Sequence, residues 1–430
     1  MSIEQQPLPE PKPVLLNEGE NPIIHEIGEN NPTGCDIRVD NIPLRGENGQ
    51  PGSLDLLMKG EYAGIVTGIN STTAEVIKSA IDVIGTKEGL VSSFFSMEAE
   101  GEEPLYLGDC AVVPAPNADT LLKIASQTYE SVHDLGAEKN RIAFLRSDGE
   151  PDEQQGDVVS EVVAKFREQY PDADNIGAVT WKQARQQGAN TLIFPNLNSG
   201  NIVYKVVHDP DGGGWQATDS GGSDARVLQK GDRKLYLSTN EGVHTPNSEQ
   251  LVDMTVRAYE VAKLGSGNQG DPVVAMLSFS TENSSTTKQV QVLRDAYDKI
   301  RETRPDIQII GPVQWDSARE ESIYRLKTKK ADLPEGKGFP GGKQPDVLIF
   351  PDRDSASLTY DALQEPNGGG RVAVGPVLQG FRDGIKIVDL SRGANKKDVI
   401  GAVQIVGRLG RGAARPKVVN SEATDFERVT

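Results

Sequence analysis

An internal repeat constrains the fold of this chain more than any other feature. The segment Leu105–Val207 recurs, imperfectly, as Leu235–Leu363, and we name these segments copy one and copy two. Within them PNADTLLKIASQTYESV returns as PNSEQLVDMTVRAYEVA, GAVTWKQAR as GPVQWDSAR, and TLIFPNLNSGNIVY as VLIFPDRDSASLTY. A repeat of this length corresponds to a whole α/β unit rather than to one turn of a solenoid. The sequence therefore predicts two related α/β units in tandem.

Local patterns before the repeat also indicate α/β structure. Residues Gly64–Thr67 form a short apolar run that is typical of a buried strand. A hydroxyl-rich loop follows, in which Ser71 or Thr72 is placed to cap a helix and Glu75 to complete a capping box. This order predicts one strand–loop–helix unit upstream of copy one.

The block Gly375–Leu409 has the strongest functional signal in the chain. Two short strands are followed by the polar turn Ser391-Arg392-Gly393 and by a helix with Asn395 at its N-cap and Asp398 at its third position. Free N–H groups and the helix dipole at this end favour a phosphate or a developing oxyanion. The spacing alone fits equally well a role for these residues only in capping the helix.

Composition and charge exclude several classes of function. The chain has 430 residues and a formal net charge of −18, which would repel the phosphate backbone of a nucleic acid or an anionic membrane surface. Its two cysteines and four histidines show no spacing typical of a disulfide framework or a zinc site. Without a signal-like N-terminus or a long apolar run, the sequence predicts a cytoplasmic protein.

The GPVLQG and DLSRG sequences, with an acid seven residues after the serine, resemble the C-terminal signature of the phosphate acetyltransferase and phosphate butyryltransferase family. The segments LNEGENP, LGDCAVVPAP and PNLNSGNIVYK are similar to further motifs of that family. The resemblance implies three-layer α/β/α units of the isocitrate/isopropylmalate dehydrogenase-like type. It also implies transfer of an acyl group between coenzyme A and phosphate, with no metal and no tightly bound cofactor.

The resemblance also implies which residues act. Ser391 would donate a hydrogen bond to the oxyanion or the leaving phosphate, Arg392 would hold the phosphate, and Asp398 would take the thiol proton. Lys78, where the family carries an arginine, would add positive charge to the substrate site. The remaining residues expected to bind substrate form a turn at a helix start, namely Asn198, Ser199, Gly200 and Asn201. Without the resemblance, Lys78 would be read as a solvated helix residue and the turn as an ordinary helix start.

Departures from the family pattern keep a second hypothesis open. Between Pro22 and Leu54 the chain is shorter than the family's first domain, and Val388 stands where an asparagine is usual. Each copy also lacks a motif that the other retains. The alternative is therefore a duplicated, catalytically eroded relative that binds coenzyme A or a protein partner. A dehydrogenase-like protein is a weaker third reading, because no GxGxxG sequence stands between a strand and a helix.

We expect five segments along the chain. Residues 1–53 would form an arm and a shortened first domain, 54–207 the first α/β unit, and 208–232 an exposed Gly- and Asp-rich linker. Residues 233–411 would form the second unit with the SRG motif, and 412–430 a disordered tail. The chain could form a homo-oligomer, or the two copies could pack face to face as an internal pseudo-dimer.

Overall fold

A computed structural model of the chain describes residues 12–148, 158–218, 225–239, 243–265, 270–282, 285–328, 339–390 and 394–409. The predicted tail at 412–430 and the residues Ser391 and Arg392 lie outside these ranges. The described residues fall into two compact units. The first contains 12–96, 126–140 and the described part of 374–418, and the second contains 97–125 and the described part of 141–373.

The first unit is built around six strands in the order β2-β1-β3-β16-β15-β4. Strands β1, β2, β3 and β16 are parallel, and β15 is antiparallel to β16. The strands are β1 (Val14–Leu16), β2 (Ile37–Val39), β3 (Gly64–Thr67), β4 (Ser92–Glu98), β15 (Val372–Gln379) and β16 (Ile387–Asp389). The helices are α1 (Pro22–Asn30), α2 (Ser53–Met58), α3 (Thr73–Val83) and α13 (Lys396–Leu409), with α4 (Ala118–Asp134) divided between the units.

The second unit contains the two copies. Copy one contributes β5 (Leu105–Gly108), β6 (Ile142–Leu145), α5 (Val158–Gln169), β7 (Asn175–Val179), α6 (Trp181–Gln186), β8 (Thr191–Ile193) and α7 (Leu197–His208). After β9 (Gln216–Thr218) and β10 (Ala225–Lys230), copy two contributes β11 (Arg233–Ser238), α8 (Ser248–Gly265), β12 (Val273–Leu277), α9 (Lys288–Thr303), β13 (Gln308–Val313), α10 (Trp315–Arg319), α11 (Glu321–Lys327), β14 (Val347–Ile349) and α12 (Arg353–Gln364).

The strands of the two copies belong to two different sheets but follow the same order. The four parallel strands of copy one have the order β5-β8-β6-β7, and their counterparts in copy two have the order β11-β14-β12-β13. The register is the same as well, because Ile142 pairs with Thr191 in copy one and the equivalent Val274 pairs with Val347 in copy two. The apolar strand residues are buried in each copy. The predicted mixed α/β class is therefore confirmed.

Helices α7 and α12, which are equivalent in the two copies, pack against each other in the second unit. The chain that follows each helix is also equivalent, since DPDGGGW (209–215) corresponds to EPNGGGR (365–371). The Trp215 N–H donates to the Leu363 carbonyl, and the Arg371 N–H donates to the Val207 carbonyl. These matched bonds extend the repeat beyond the ends that the sequence indicated.

The described residues of the segment 208–232, which exclude 219–224, differ from the expected exposed linker. Gly212, Gly213 and Trp215 are buried, and β9 and β10 continue the sheet of copy two. Glycines are needed here because the Gly213 and Gly369 backbones meet, which leaves no room for a side chain at either position. A Gly-rich composition therefore marks a close backbone contact rather than an exposed segment.

Candidate functional site

The carboxyl ends of two neighbouring strands position the C-terminal motif in the first unit. Strand β16 is parallel to β3, with Asp389 opposite Thr67, and the Leu390 N–H donates to the Thr67 carbonyl at 2.6 Å. Parallel strands end at the same edge of a sheet, which is where α/β folds place ligands. The loop after β3 and the chain after β16 therefore begin at one edge.

Helix α13 begins with the capping box that the sequence predicts. The Asn395 side-chain oxygen accepts from the N–H groups of Lys397 and Asp398, and the Asp398 carboxylate accepts from the Asn395 N–H at 2.8 Å. Asp398 is 8% exposed. The hydrogen bond from the Asn395 N–H closes the capping box and fixes the position of the Asp398 side chain at the start of the helix.

The loop between β3 and α3 is bound by a carboxylate from its own chain. Glu18, which is buried and has a φ of 66°, accepts four hydrogen bonds from this loop. The donors are the Thr67 and Ser71 hydroxyls and the Gly68 and Asn70 N–H groups. The hydroxyl-rich loop thus has an internal anion as its partner, and α3 is capped by Thr72 rather than by Ser71.

Asp389 is a second carboxyl group at this edge that the sequence interpretation did not single out. It is 1% exposed and packs against the Gly68 backbone. Burial raises the pKa of Asp389 to about 7; the Glu18 carboxylate adds to this rise and Thr73 opposes it. Its place two residues before Ser391, in the DLSRG sequence, was the only signal in the sequence.

The structure places two of the predicted site residues of the first unit. Asp398 lies at the start of α13, while Lys78 is exposed in the middle of α3. Ser391 and Arg392 fall between Leu390 and Ala394, outside the described residues. Lys78 is exposed to solvent in the described part of the chain, and its role in substrate binding stays a prediction.

The turn Asn198–Asn201 lies at the start of α7 in the second unit, and its polar side chains bind other parts of that unit. The Asn198 amide donates to Asp352 at 3.1 Å and its oxygen accepts from the Phe279 N–H at 3.1 Å. The Asn201 amide donates to the Cys110 carbonyl at 3.0 Å. The sequence interpretation expected these groups to be available to an anion, whereas they are buried: Asn198 binds copy two, and the Asn201 amide donates within copy one.

Gly200 is required by a close approach inside copy one. A Cβ at this position would lie 2.5 Å from the Asp109 carbonyl oxygen and 3.1 Å from the Cys110 sulfur. We expect Gly200→Ala to lower the free energy of unfolding by about 1–3 kcal/mol, as overpacking does. The equivalent residue of copy two is Ala356, so Ala356→Gly is the matched control and should cost no more than about 1 kcal/mol. Urea unfolding of both variants tests the difference, and equal costs would contradict it.

Other candidate chemistry finds no support among the described residues. Cys110 is fully buried, as expected, and burial raises the pKa of its thiol well above the usual value, with the Asp109 carboxylate adding to the rise. No group of three His, Cys, Asp or Glu side chains in the described part of the chain is arranged to hold a metal ion. None of the described helices has the length and apolar composition to cross a membrane.

Comparison with known proteins identifies the family. The sequence model of the family described as phosphate acetyl/butaryl transferase matches residues 52–212 and 219–406. The phosphate acetyltransferase of Deinococcus radiodurans is 36% identical over 156 residues, covering 36% of this chain and 20% of that protein. That of Thermoanaerobacterium thermosaccharolyticum is 32% identical over 174 residues, covering 40% and 49%. The match spans half or less of the length of these curated relatives.

Solved structures include similar chains. EutD phosphotransacetylase from Staphylococcus aureus aligns over 93% of this chain and 94% of its own, with 17% identity and a TM-score of 0.33. A branched-chain phosphotransacylase from Enterococcus faecalis aligns over 93% of this chain and 100% of its own, with 12% identity and a TM-score of 0.41. Because the family model matches most of the chain in two segments, the chain belongs to the phosphate acetyl/butaryl transferase family.

Proposed function

We propose that this protein transfers an acetyl or other short acyl group between coenzyme A and inorganic phosphate. The observation that carries the proposal is family membership over most of the chain, together with a buried Asp398 at the start of the helix that follows the SRG motif. Coenzyme A is then a substrate, and no tightly bound cofactor takes part.

In the proposed reaction the thiolate of coenzyme A attacks the carbonyl carbon of the acyl phosphate. Asp398 takes the thiol proton, because a free thiol with a pKa near 8.5 is mostly protonated at neutral pH. Ser391 donates a hydrogen bond to the carbonyl oxygen as it becomes negative, and Arg392 holds the phosphate through paired N–H donors. The new carbon–sulfur bond forms, the carbon–oxygen bond breaks, and phosphate leaves.

Two further assignments belong to the same proposal. Lys78 contributes positive charge to the anionic substrates, which the net charge of −18 would otherwise repel. The turn Asn198–Asn201 stays a prediction for substrate binding, and a ligand there would have to replace the bonds to Asp352 and Cys110. We assign the units to the isocitrate/isopropylmalate dehydrogenase-like type and the protein to the cytoplasm.

We also propose that the two copies form an internal pseudo-dimer. The equal strand order of the copies and the packing of α7 against α12 support this arrangement. Copy one and copy two of a single chain would then pair as two identical subunits pair in a symmetric dimer.

Incubation with acyl phosphate and coenzyme A tests the reaction. We expect acetyl phosphate to yield the thioester, detected by its ultraviolet absorbance, and release of phosphate in equal amount. Butyryl phosphate in a parallel series measures how the site responds to acyl length. If neither acetyl phosphate nor butyryl phosphate yields a thioester while coenzyme A still binds, the result would favour the alternative of a catalytically eroded, duplicated relative.

A further inference from the structure

The contacts between the two copies come in equivalent pairs. The Trp181 indole donates to Glu365 at 2.8 Å, and the equivalent Trp315 donates to Asp209 at 3.0 Å. Arg185 also bonds to Glu365, as the equivalent Arg319 lies 3.6 Å from Asp209. Likewise the Ser147 N–H donates to Asp354 and the Phe279 N–H to Asn198. The copies therefore meet through equivalent surfaces.

In one pair of equivalent contacts, the two copies carry side chains of opposite charge. In one contact the Lys205 ammonium of copy one donates to Asp316 of copy two at 2.6 Å. In the equivalent contact Asp361 of copy two accepts from the backbone N–H of Lys182 of copy one at 3.2 Å. Lys205 is equivalent to Asp361, and Lys182 is equivalent to Asp316. Copy one therefore carries a lysine at both positions, and copy two carries an aspartate at both.

Of the four charged side chains, Lys205 is buried, Asp316 and Asp361 are partly buried, and Lys182 is exposed. Lys205 is 5% exposed, and burial lowers its pKa to about 7 although Asp316 opposes this shift. Lys327 of copy two also donates to Asp316 at 2.6 Å. Asp361 is partly buried, and burial raises its pKa although the Lys182 N–H and ammonium oppose the rise. A buried charge without an opposite partner is strongly unfavourable.

Pairing of like copies would place equal charges together at these positions. Two copies of the copy-one surface would bring Lys205 against Lys182, and two of the copy-two surface would bring Asp361 against Asp316. Asp354 is the copy-two equivalent of Asn198, whose amide donates to Asp352. If two copy-two surfaces paired, an Asp354 carboxylate would take the place of this amide beside Asp352. Burial and the nearby Asp354 already raise the pKa of Asp352 to about 6, so a further carboxylate would be costly.

We propose that this surface is a selective interface on which copy one and copy two accept only each other. Opposite charges join unlike copies, and like charges reject a second copy of the same kind, so that the chain pairs within itself. Repulsion against the wrong partner is an established route to specificity in coiled coils and other interfaces. The proposal concerns pairing alone and does not depend on the proposed reaction.

Charge reversal at Lys205 and Asp316 tests the attraction between the two copies. We expect Lys205→Asp and Asp316→Lys each to lower the urea midpoint of unfolding clearly, and the double variant to recover most of the loss. Lys165→Asp is the control, because Lys165 forms exposed ion pairs with Asp119 and Glu161 on the same unit and should shift the midpoint little. Single reversals that behave like this control, or a double variant no better than the singles, would overturn the proposal.

A second comparison tests the rejection of like copies. The variant Lys182→Asp with Asp361→Lys keeps opposite charges between unlike copies but also makes like copies complementary. Adding Lys205→Asp and Asp316→Lys restores repulsion between like copies. After refolding at increasing chain concentration, light scattering should detect species of twice the chain mass or more in the first variant, above the wild-type and fourfold-variant levels. Equal mass distributions for all three chains would overturn the selection by charge.

Discussion

Replacing Asp398 with asparagine should lower the rate of thioester formation by about a hundredfold or more, the range expected for loss of a positioned general base. The amide keeps an oxygen that can accept the Asn395 N–H, so the cap of α13 and the fold should remain. The Michaelis constant for the acyl phosphate should change far less, because Asp398 acts on the thiol. Steady-state kinetics of the wild type and Asp398→Asn at fixed coenzyme A measure both quantities.

The matched control is Glu75→Gln, which makes the same carboxylate-to-amide change at the third position of α3. Glu75 accepts from the Thr72 N–H in a capping box of the same type. We expect this variant to retain the wild-type rate. If both variants lose activity equally, the effect of Asp398→Asn comes from helix capping. If neither loses activity, Asp398 is not the base.

Asp389→Asn should make the protein more stable at pH 8, which is unusual for the loss of a buried acid. Burial raises the pKa of Asp389 to about 7, so the folded state keeps a proton that the unfolded chain, with a pKa near 3.9, releases. The folded state binds more protons between these two values, and its stability therefore falls as pH rises from about 4 to about 7. Above pH 7 the free energy of unfolding that is lost through Asp389 reaches about 4 kcal/mol at most.

Urea unfolding of wild type and Asp389→Asn from pH 4 to pH 8 tests this prediction. The two proteins should have similar free energies of unfolding at pH 4. As the pH rises, the variant should become progressively more stable than the wild type. Glu18→Gln is the contrasting variant: the amide nitrogen of glutamine cannot accept the hydrogen bonds that one of the two Glu18 oxygens accepts, so this variant should lose stability at pH 8. A wild type with no relative loss between pH 4 and pH 8 would contradict the assignment of Asp389 as a buried neutral acid.

The sequence predicts the local structure of this chain well because its signals are local. The repeat implies two equivalent sheets, and the register of Ile142 with Thr191 and of Val274 with Val347 agrees with it. The capping boxes at Thr72 and Asn395 depend on residues three positions apart and form as expected. Periodicity and cap chemistry act over a few residues, so one sequence is sufficient to find them.

Residues that act through distant contacts were not predictable in the same way. Asn198 looks like a helix-start residue open to a ligand, yet its amide binds Asp352, which is 154 positions away. The Gly-rich segment after His208 looks exposed, yet it meets the equivalent glycines after Glu365. Glu18 and Asp389 look like turn acids, and only the parallel pairing of β3 with β16 shows that both lie at one sheet edge.

The most direct test of the account is the rate of acetyl-CoA formation from acetyl phosphate and coenzyme A, measured for the wild type and Ser391→Ala with coenzyme A binding followed in parallel. We expect the wild type to turn over and Ser391→Ala to bind coenzyme A but lose about a hundredfold or more in rate, as loss of an oxyanion donor does. A folded wild type that binds coenzyme A and forms no thioester would contradict the proposed acyltransferase.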